Sequence, residues 1–359
     1  MLKTLDWYII RKFLGTFFFS IALIVSIAIV FDASEKLEDF ISKEAPFKAI
    51  VFEYYLNFIP FFVSLFSPLF IFISVIFFTS KMAYNTEIVA ILSGGVSFNR
   101  LLRPYMISAF VLAVLSLYLN NFIIPKANKK RLDFEETYIR NQFHFNEVNV
   151  HIQDSPGTFL FLESYNNIDN VGFKFTLEKI KDGKMNYKLG AETIRWDTIT
   201  KTWALVNYYE RHFDGIKESY NLGARKDTIL NLNPKEFSTR ISAIKAMDYS
   251  QLNHYIEIQT LKGSDDIAFY EVERYERMIN PVATFILTLI GVSISSRKVR
   301  GGIGMHIGIG VVIAFSYLMF QQIFTTFAYY SGFPTWLAVA LPNIMYFILS
   351  IFLLRIAPK

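Results

Sequence analysis

The 359-residue chain contains no cysteine, which excludes disulfides, thiolate nucleophiles and zinc-thiolate sites. Charge is scarce as well: Asp, Glu, Lys and Arg make up 19% of the chain, against about 25% in soluble domains. It is withheld unevenly, because residues 126–277 hold 22 of the 36 Lys and Arg and 23 of the 31 Asp and Glu, leaving long uncharged stretches near both ends. No G-x-x-x-x-G-K-[ST] phosphate loop occurs, so ATP hydrolysis by that route is excluded. The glycine-rich pieces Ser93-Gly94-Gly95 and Arg300 to Gly304 lack the lysine and the strand-loop-helix setting, and read as helix ends. The five histidines (His144, His151, His212, His254 and His306) show no metal-ligand spacing, so neither a metal nor another cofactor is expected. What the chain does have is apolar: 53% hydrophobic residues and 37 Phe. This composition excludes an ordinary soluble enzyme, a disordered chain and a nucleic-acid binder, and points to a membrane protein with a soluble insert.

A helix crosses a bilayer with about 20 apolar residues, since unsatisfied backbone in hydrocarbon is costly. Six stretches qualify: 13–31, 54–80, 104–125, 278–296, 301–330 and 333–354. The first follows Lys3, Arg11 and Lys12, but its apolar run is too long for a signal peptide and lacks a small-residue cleavage site, so a retained helix is expected. With the N-terminus inside, the short inner segments carry 11 basic residues against two acids, Asp6 and Glu87. The loop between the first two spans has three lysines against six acids. The positive-inside rule therefore places both termini in the cytoplasm and the 126–277 insert outside. His306 lies alone near the inner end of span five with no carboxylate inside any span, which argues against proton-coupled transport. Asn343 and the Gln321-Gln322 pair are expected to hydrogen-bond between helices.

The insert changes register. From Phe143 onward short runs alternate, and strands are predicted at 158–163, 171–178, 191–196, 202–209 and 218–222, with a hairpin turn at Lys181-Asp182-Gly183-Lys184. Such spacing suggests an antiparallel sandwich or jelly roll. After Pro234 the pattern turns helical: Asp248 or Ser250 caps a helix to Leu261 that Gly263 ends, and a second helix from near Asp265 runs into span four. The expected domains are 1–125 (spans one to three), 126–247 (β jelly roll), 248–277 (helical connector) and 278–359 (spans four to six). Within the first, 81–95 forms a short amphipathic inner helix carrying Glu87. With Lys81 as its only lysine it suits a partner's groove better than a lipid surface.

The order of three spans, a β-rich insert and three spans resembles the YjgP/YjgQ permeases, the LptF/LptG family of the lipopolysaccharide exporter. The resemblance covers the whole chain. It also rests on Thr86-Glu87 through Ser93-Gly94-Gly95, on Asn280-Pro281 through Arg297 and Arg300-Gly301-Gly302-Ile303-Gly304, and on the opening Leu5-Asp6-Trp7-Tyr8-Ile9. The opening, together with Leu252 to Gly263 and Gln322-Ile323-Phe324, is closer to the LptG branch. The resemblance implies a non-catalytic permease subunit in the bacterial inner membrane. Such a subunit pairs with a sister permease (LptF or LptG) on an LptB ATPase dimer, and lipopolysaccharide passes to the jelly-roll proteins LptC and LptA. Glu87, Thr86, Ile88, Ile91 and Gly94 would form the ATPase coupling helix. Phe159, Phe161, Val171, Phe173, Phe175, Trp203 and Leu205 would line the lipid path or fill a closed sandwich core. Lys36, Lys43 and Lys48 would meet lipid A phosphates, although the outer end of span one, Asp32-Ala33-Ser34-Glu35-Lys36, is more acidic than the family pattern. The competing reading is a membrane-anchored envelope scaffold or receptor whose β domain binds a periplasmic partner. A headgroup-modifying enzyme would have only Asp32, Glu35, Glu38 and Asp39 to work with, and these suffice as a solvated loop face.

Overall fold

A computed structural model describes residues 3–140, 145, 148–215, 217–234, 237, 241–297, 299 and 302–357. His144, Phe143, Lys298, Arg300, Gly301 and Lys359 fall outside the described residues. Among the described residues, six helices are long and apolar enough to cross a membrane: α1 (Thr4–Ser42), α2 (Phe47–Tyr84), α4 (Phe98–Tyr138), α6 (Ile267–Ser295), α7 (Gly302–Tyr330) and α8 (Thr335–Ile356). Two shorter helices are α3 (Glu87–Ser93) and α5 (Tyr249–Lys262). Between α4 and α5 lies a six-stranded antiparallel sheet. The chain thus has six transmembrane helices with the β jelly-roll domain inserted between the third and fourth. Two compact units result, a transmembrane unit of residues 1–139, 244–252 and 268–359, and a β unit of residues 140–243 and 253–267.

Several helices outrun the apolar stretches that announce them. α1 has 39 residues and α4 has 41, each about 60 Å at 1.5 Å per residue, twice the hydrocarbon thickness. The sequence pattern brackets the third span with Pro104 and Pro125, yet α4 runs through both. A proline ring clashes with the carbonyl four residues back, and at Pro125 a π-helical segment, Leu119–Ile123, widens the helix at that carbonyl. Asn120 and Asn121 Nδ2 then donate to the carbonyls of Ser116 and Leu117, both at 2.9 Å.

Within the transmembrane unit α2 is the central element. One side packs Ile71, Val75, Phe78 and Met82 against Ile9, Phe13 and Phe17 of α1 and Leu101, Tyr105 and Leu112 of α4. The other side packs Leu69, Phe72 and Ile76 against Ala283, Ile286 and Ile290 of α6, Tyr317 of α7 and Tyr346 of α8. Glycines set the closest approaches. A Cβ on Gly310 would fall 2.3 Å from Ile76 Cδ1, and one on Gly291 would fall 2.9 Å from Val75 Cγ1. Lipid offers no hydrophobic drive to bring helices together, so such close packing, with hydrogen bonds, holds the bundle. Tyr317 Oη donates to Asn343 Oδ1 at 3.2 Å, the interhelical role expected of Asn343. His306 is buried, with Nε2 at 2.9 Å from the Arg297 carbonyl, just past the end of α6.

The sheet strands are β1 (Val148–Ser155), β2 (Thr158–Asn166), β3 (Val171–Lys181), β4 (Lys184–Asp197), β5 (Thr202–Asp214) and β6 (Lys217–Thr228), paired in sequence order as an up-and-down meander. The expected β3–β4 hairpin is present, with φ of 51° at Asp182 and 73° at Gly183, the left-handed pair that a two-residue turn needs. A polar row crosses the sheet: the registers align Asn149, Glu163, Lys174, Glu192 and Asn207 on β1 to β5. Asn149, Lys174 and Asn207 in that row all have positive φ (57°, 48° and 52°). Each such kink shifts the in–out alternation by one residue. Core residues therefore read Leu160, Leu162 then Tyr165 along β2, and Gly172 then Phe175, Leu177 along β3.

After the sheet, α5 starts as the sequence indicates. Asp248 Oδ1 accepts from the Gln251 N–H at 2.8 Å while Gln251 Oε1 accepts from the Asp248 N–H at 3.1 Å, a reciprocal capping box. Gly263, at φ 71°, ends it. α6 begins at Ile267 and continues unbroken into its membrane-crossing part, as predicted for the helix preceding span four.

Candidate functional site

The α2–α4 connection is built differently from the single helix expected over 81–95. α2 ends at Tyr84, Thr86 takes φ 61°, and the seven-residue α3 starts afresh at Glu87. Thr86 Oγ1 donates to the Asn85 carbonyl at 2.6 Å, a local bond that competes with helix continuation. On α3, Ile88 is 1% exposed and Ile91 packs beside it, both against the α1–α2–α4 core. These two apolar residues hold α3 to its own bundle, one turn apart. The face left open carries Val89, which is 52% exposed, with Ala90 and Ser93. Sequence reasoning passed over these three because isolated helix periodicity does not reveal which stripe the tertiary contacts claim. Gly94 caps the helix and Gly95, at φ 85°, reverses the chain, allowing Val96 N–H to reach the Ile91 carbonyl.

Glu87 is tied to α1. Its Oε2 accepts from Tyr8 Oη at 2.7 Å and lies 3.6 Å from Lys12 Nζ, and Lys12 also donates to the Tyr8 hydroxyl. Burial pushes the Glu87 carboxyl upward, but the Tyr8 hydrogen bond and the Lys12 charge outweigh it and hold the group below the ordinary carboxylate range. A second tie lies beside it. Asp6, 1% exposed, receives both arms of Arg100 from α4 at 2.6 and 2.7 Å and the Lys3 N–H at 2.7 Å. The start of α1 is thus bonded to α3 and to the start of α4, one helix on either side of the α3–α4 turn.

At the other end of α1, Lys36 is committed. Its Nζ lies 2.6 Å from Asp32 Oδ1 and also donates to the Tyr54 hydroxyl. Tyr55 Oη donates to Asp32 Oδ2 at 3.2 Å. A phosphate at Lys36 would have to displace this network. Lys43 follows α1 directly as its C-cap, and Lys48 is exposed near the start of α2.

The seven β-unit candidates divide between the two faces of the sheet. Phe175, Trp203 and Leu205 are 0% exposed, inside a core that Leu232 and Phe237 complete. Trp203 Nε1 donates to the Leu232 carbonyl at 2.9 Å, and Tyr165 stacks on Phe237 at 4.2 Å. Val171 is buried at the start of β3. Phe159, Phe161 and Phe173 sit on the opposite face, with Phe159 39% and Phe173 42% exposed. The expectation that Phe173 and Phe175 share a face fails because the kink at Lys174 lies between them. In the adjoining row, Phe173 pairs across Thr193 with Val206 and across Ser164 with Val148, giving an exposed apolar stripe that includes two residues the sequence did not single out. Among the described residues no group of three or more His, Cys, Asp or Glu is arranged to hold a metal ion.

Comparison with known proteins bears on the architecture as a whole. The family model for the lipopolysaccharide export system permease LptF/LptG matches residues 7–356. The lipopolysaccharide export system permease protein LptG of Escherichia coli strain K12 is 18% identical over 356 residues, covering 98% of this chain and 97% of that protein. The LptG protein of Escherichia coli O6:H1 matches to the same extent. With the match running from the first turns of α1 to the last turn of α8, the chain belongs to the LptF/LptG family of lipopolysaccharide export system permeases.

Proposed function

We propose that this chain is the non-catalytic permease subunit of an ABC-type lipopolysaccharide exporter, closer to LptG than to LptF. It sits in the inner membrane of a Gram-negative envelope with both termini cytoplasmic and the jelly-roll insert in the periplasm, a reading supported by the 11 basic residues against two acids in the segments it places inside. It pairs with a sister permease and takes its energy from an LptB ATPase dimer. Lipopolysaccharide leaves the outer leaflet and moves along the insert toward LptC and LptA. The observation that carries this reading is α3: a helix with its own apolar stripe held inward, presenting Val89, Ala90, Ser93 and the partly exposed Glu87 between the second and third spans.

Glu87→Ala is expected to leave the bundle folded, since a pair exposed to this extent contributes about 0–1 kcal/mol, and to reduce the ATPase retained on purification. Tyr8→Phe removes the hydrogen bond of the internal tie, leaving the Lys12 pair and the carboxylate, and is expected to retain the ATPase. Full retention by Glu87→Ala would remove Glu87 from the coupling contact, and loss in both variants would assign the effect to the internal tie.

For the insert, the exposed stripe is the better lipid surface than the closed core, because an acyl chain gains only where apolar area is open to it. A photo-crosslinking residue at Phe173 or Val206 is expected to capture lipopolysaccharide in cells only when the ATPase is active. No adduct from Phe173, Val206, Phe159 or Phe161 would return the insert to a structural role.

A further inference from the structure

Between α2, α4, α6 and α7 lies a cavity of about 350 Å³, every lining residue of which belongs to the transmembrane unit. Its size is at the low end of the range of about 300–1,000 Å³ typical of small-molecule sites. The lining is unlike the apolar cores beside it and includes Asn128, Lys245, Glu276, Asn280, Gln321 and Gln322. Glu276 lies two residues before the predicted start of span four, on the same continuous helix, because α6 begins at Ile267. Ionisable groups in such helices are costly and mark functional positions.

Hydrogen-bonding capacity is left unused here. Asn128 is 1% exposed; its Nδ2 donates to the Lys245 carbonyl at 3.0 Å, while its Oδ1 has no partner among the described residues. Gln321 Nε2 is divided between Asn280 Oδ1 at 3.2 Å and Glu276 Oε1 at 3.5 Å, both long bonds. Glu276 forms no ion pair among the described residues, and the Gln322 side-chain amide makes no hydrogen bond there. Arg277, by contrast, is satisfied: it binds Glu273 at 2.9 Å and the carbonyls of Met247 and Ile244 at 2.7 and 3.1 Å. Asn128 Oδ1, buried and left this way, needs a ligand or water; Glu276 and Gln321 are half-buried and Gln322 is exposed on the same lining.

The chemistry of the lining selects among ligands. By formal count Lys245 and Arg277 match Glu273 and Glu276, and Arg277 is already paired with Glu273, so the lining carries no formal excess of either sign. It offers instead planar amides and a carboxylate with mixed donors and acceptors, the groups that meet neighbouring hydroxyls. Its α4 and α6 residues lie toward the helix ends from which the insert departs and to which it returns. In the orientation proposed above, on which this inference rests, that is the headgroup depth of the outer leaflet.

We propose that this cavity is a binding site for a neutral, polyhydroxylated saccharide unit, held by Glu276, Gln321 and Asn128, with Gln322 beside it. The test uses the full export complex in nanodiscs of phosphatidylethanolamine doped with glucosyl-diacylglycerol, a phosphate-free glycolipid, with a photo-crosslinking residue at Gln322. The expected result is glycolipid capture about tenfold above its mole fraction, falling to that fraction in Glu276→Gln or Gln321→Met, each of which removes about one strong hydrogen bond. Free glucose that competes identifies a soluble saccharide as the source, and glucose that does not identifies the lipid-borne one. Capture of phosphatidylethanolamine in proportion to its abundance overturns the proposal. So does no adduct at Gln322 while the same crosslinker at Phe327, 51% exposed, labels bulk lipid. ATP-driven lipopolysaccharide release, measured on the parent complex, reports separately on the export reading.

Discussion

Replacing Asp6 with alanine is expected to destabilise the transmembrane unit by about 1–2 kcal/mol, because it removes the carboxylate that three donors share. Asp6 is 1% exposed and accepts three hydrogen bonds, from both arms of Arg100 and from the Lys3 N–H. Arg100 is more open, its side chain 28% exposed, so water recovers much of the loss and the effect stays below what breaking a fully buried pair costs. The double change Asp6→Leu with Arg100→Leu is expected to recover most of the stability, since two matched apolar side chains leave no uncompensated charge. Unfolding of the purified chain in mixed detergent, followed by circular dichroism, measures the unchanged chain and both variants. A loss below about 0.5 kcal/mol for Asp6→Ala would show that the pair is replaced by water without penalty. The pair also holds the start of α1 against α4 beside the Glu87 tie, so Asp6→Ala is expected to loosen α3 from its neighbours as well.

Trp203→Ala is the second large effect, with about 3–5 kcal/mol expected from the lost ring contacts and the cavity left behind. Trp203 is 0% exposed, meets Trp196 edge-on at 5.2 Å and Tyr165 at 6.3 Å, and donates to the Leu232 carbonyl. Trp203→Phe keeps most of the ring but orphans that carbonyl, so about 1–2 kcal/mol is expected. Phe173→Ala, on the open face, is expected to change stability little, by about 0.5 kcal/mol or less. Protease protection of the insert in the full-length chain ranks the three. An order in which Phe173→Ala costs as much as Trp203→Ala would mean that the exposed stripe is covered in the folded protein.

The candidate site was legible in part. Glu87 and its flanking glycines stand out because a lone acid in a basic segment and a Gly-Gly stop are local features. The break at Thr86 was not legible, since Lys81 to Ser93 has the composition of one amphipathic helix and only packing of Ile88 into the α1–α2–α4 core requires the chain to turn. Lys36 has Asp32 one helical turn away in the sequence, but the Tyr54 hydroxyl that completes its network arrives only with α2. The Asp182-Gly183 turn and the Asp248–Gly263 helix were legible because caps and turns are short-range chemistry, whereas the strands outrun the alternation that announces them: β4 begins at Lys184 and not at 191, β6 ends at Thr228 and not at 222, and β1 was not predicted.

By itself, the sequence determined six spans, a β-rich insert after the third and a charge asymmetry among the short loops. These follow from one-dimensional quantities: the length of an apolar run, the period of alternation and the sign of short loops. Only the tertiary structure decided which face Phe173 and Phe175 take, that α4 passes through two prolines, and that Asn128, Glu276 and Gln321 border one cavity. Each depends on groups far apart in the chain or on a backbone kink at an ordinary residue such as Lys174, whose positive φ is imposed by the sheet around it and leaves no mark in the residue type.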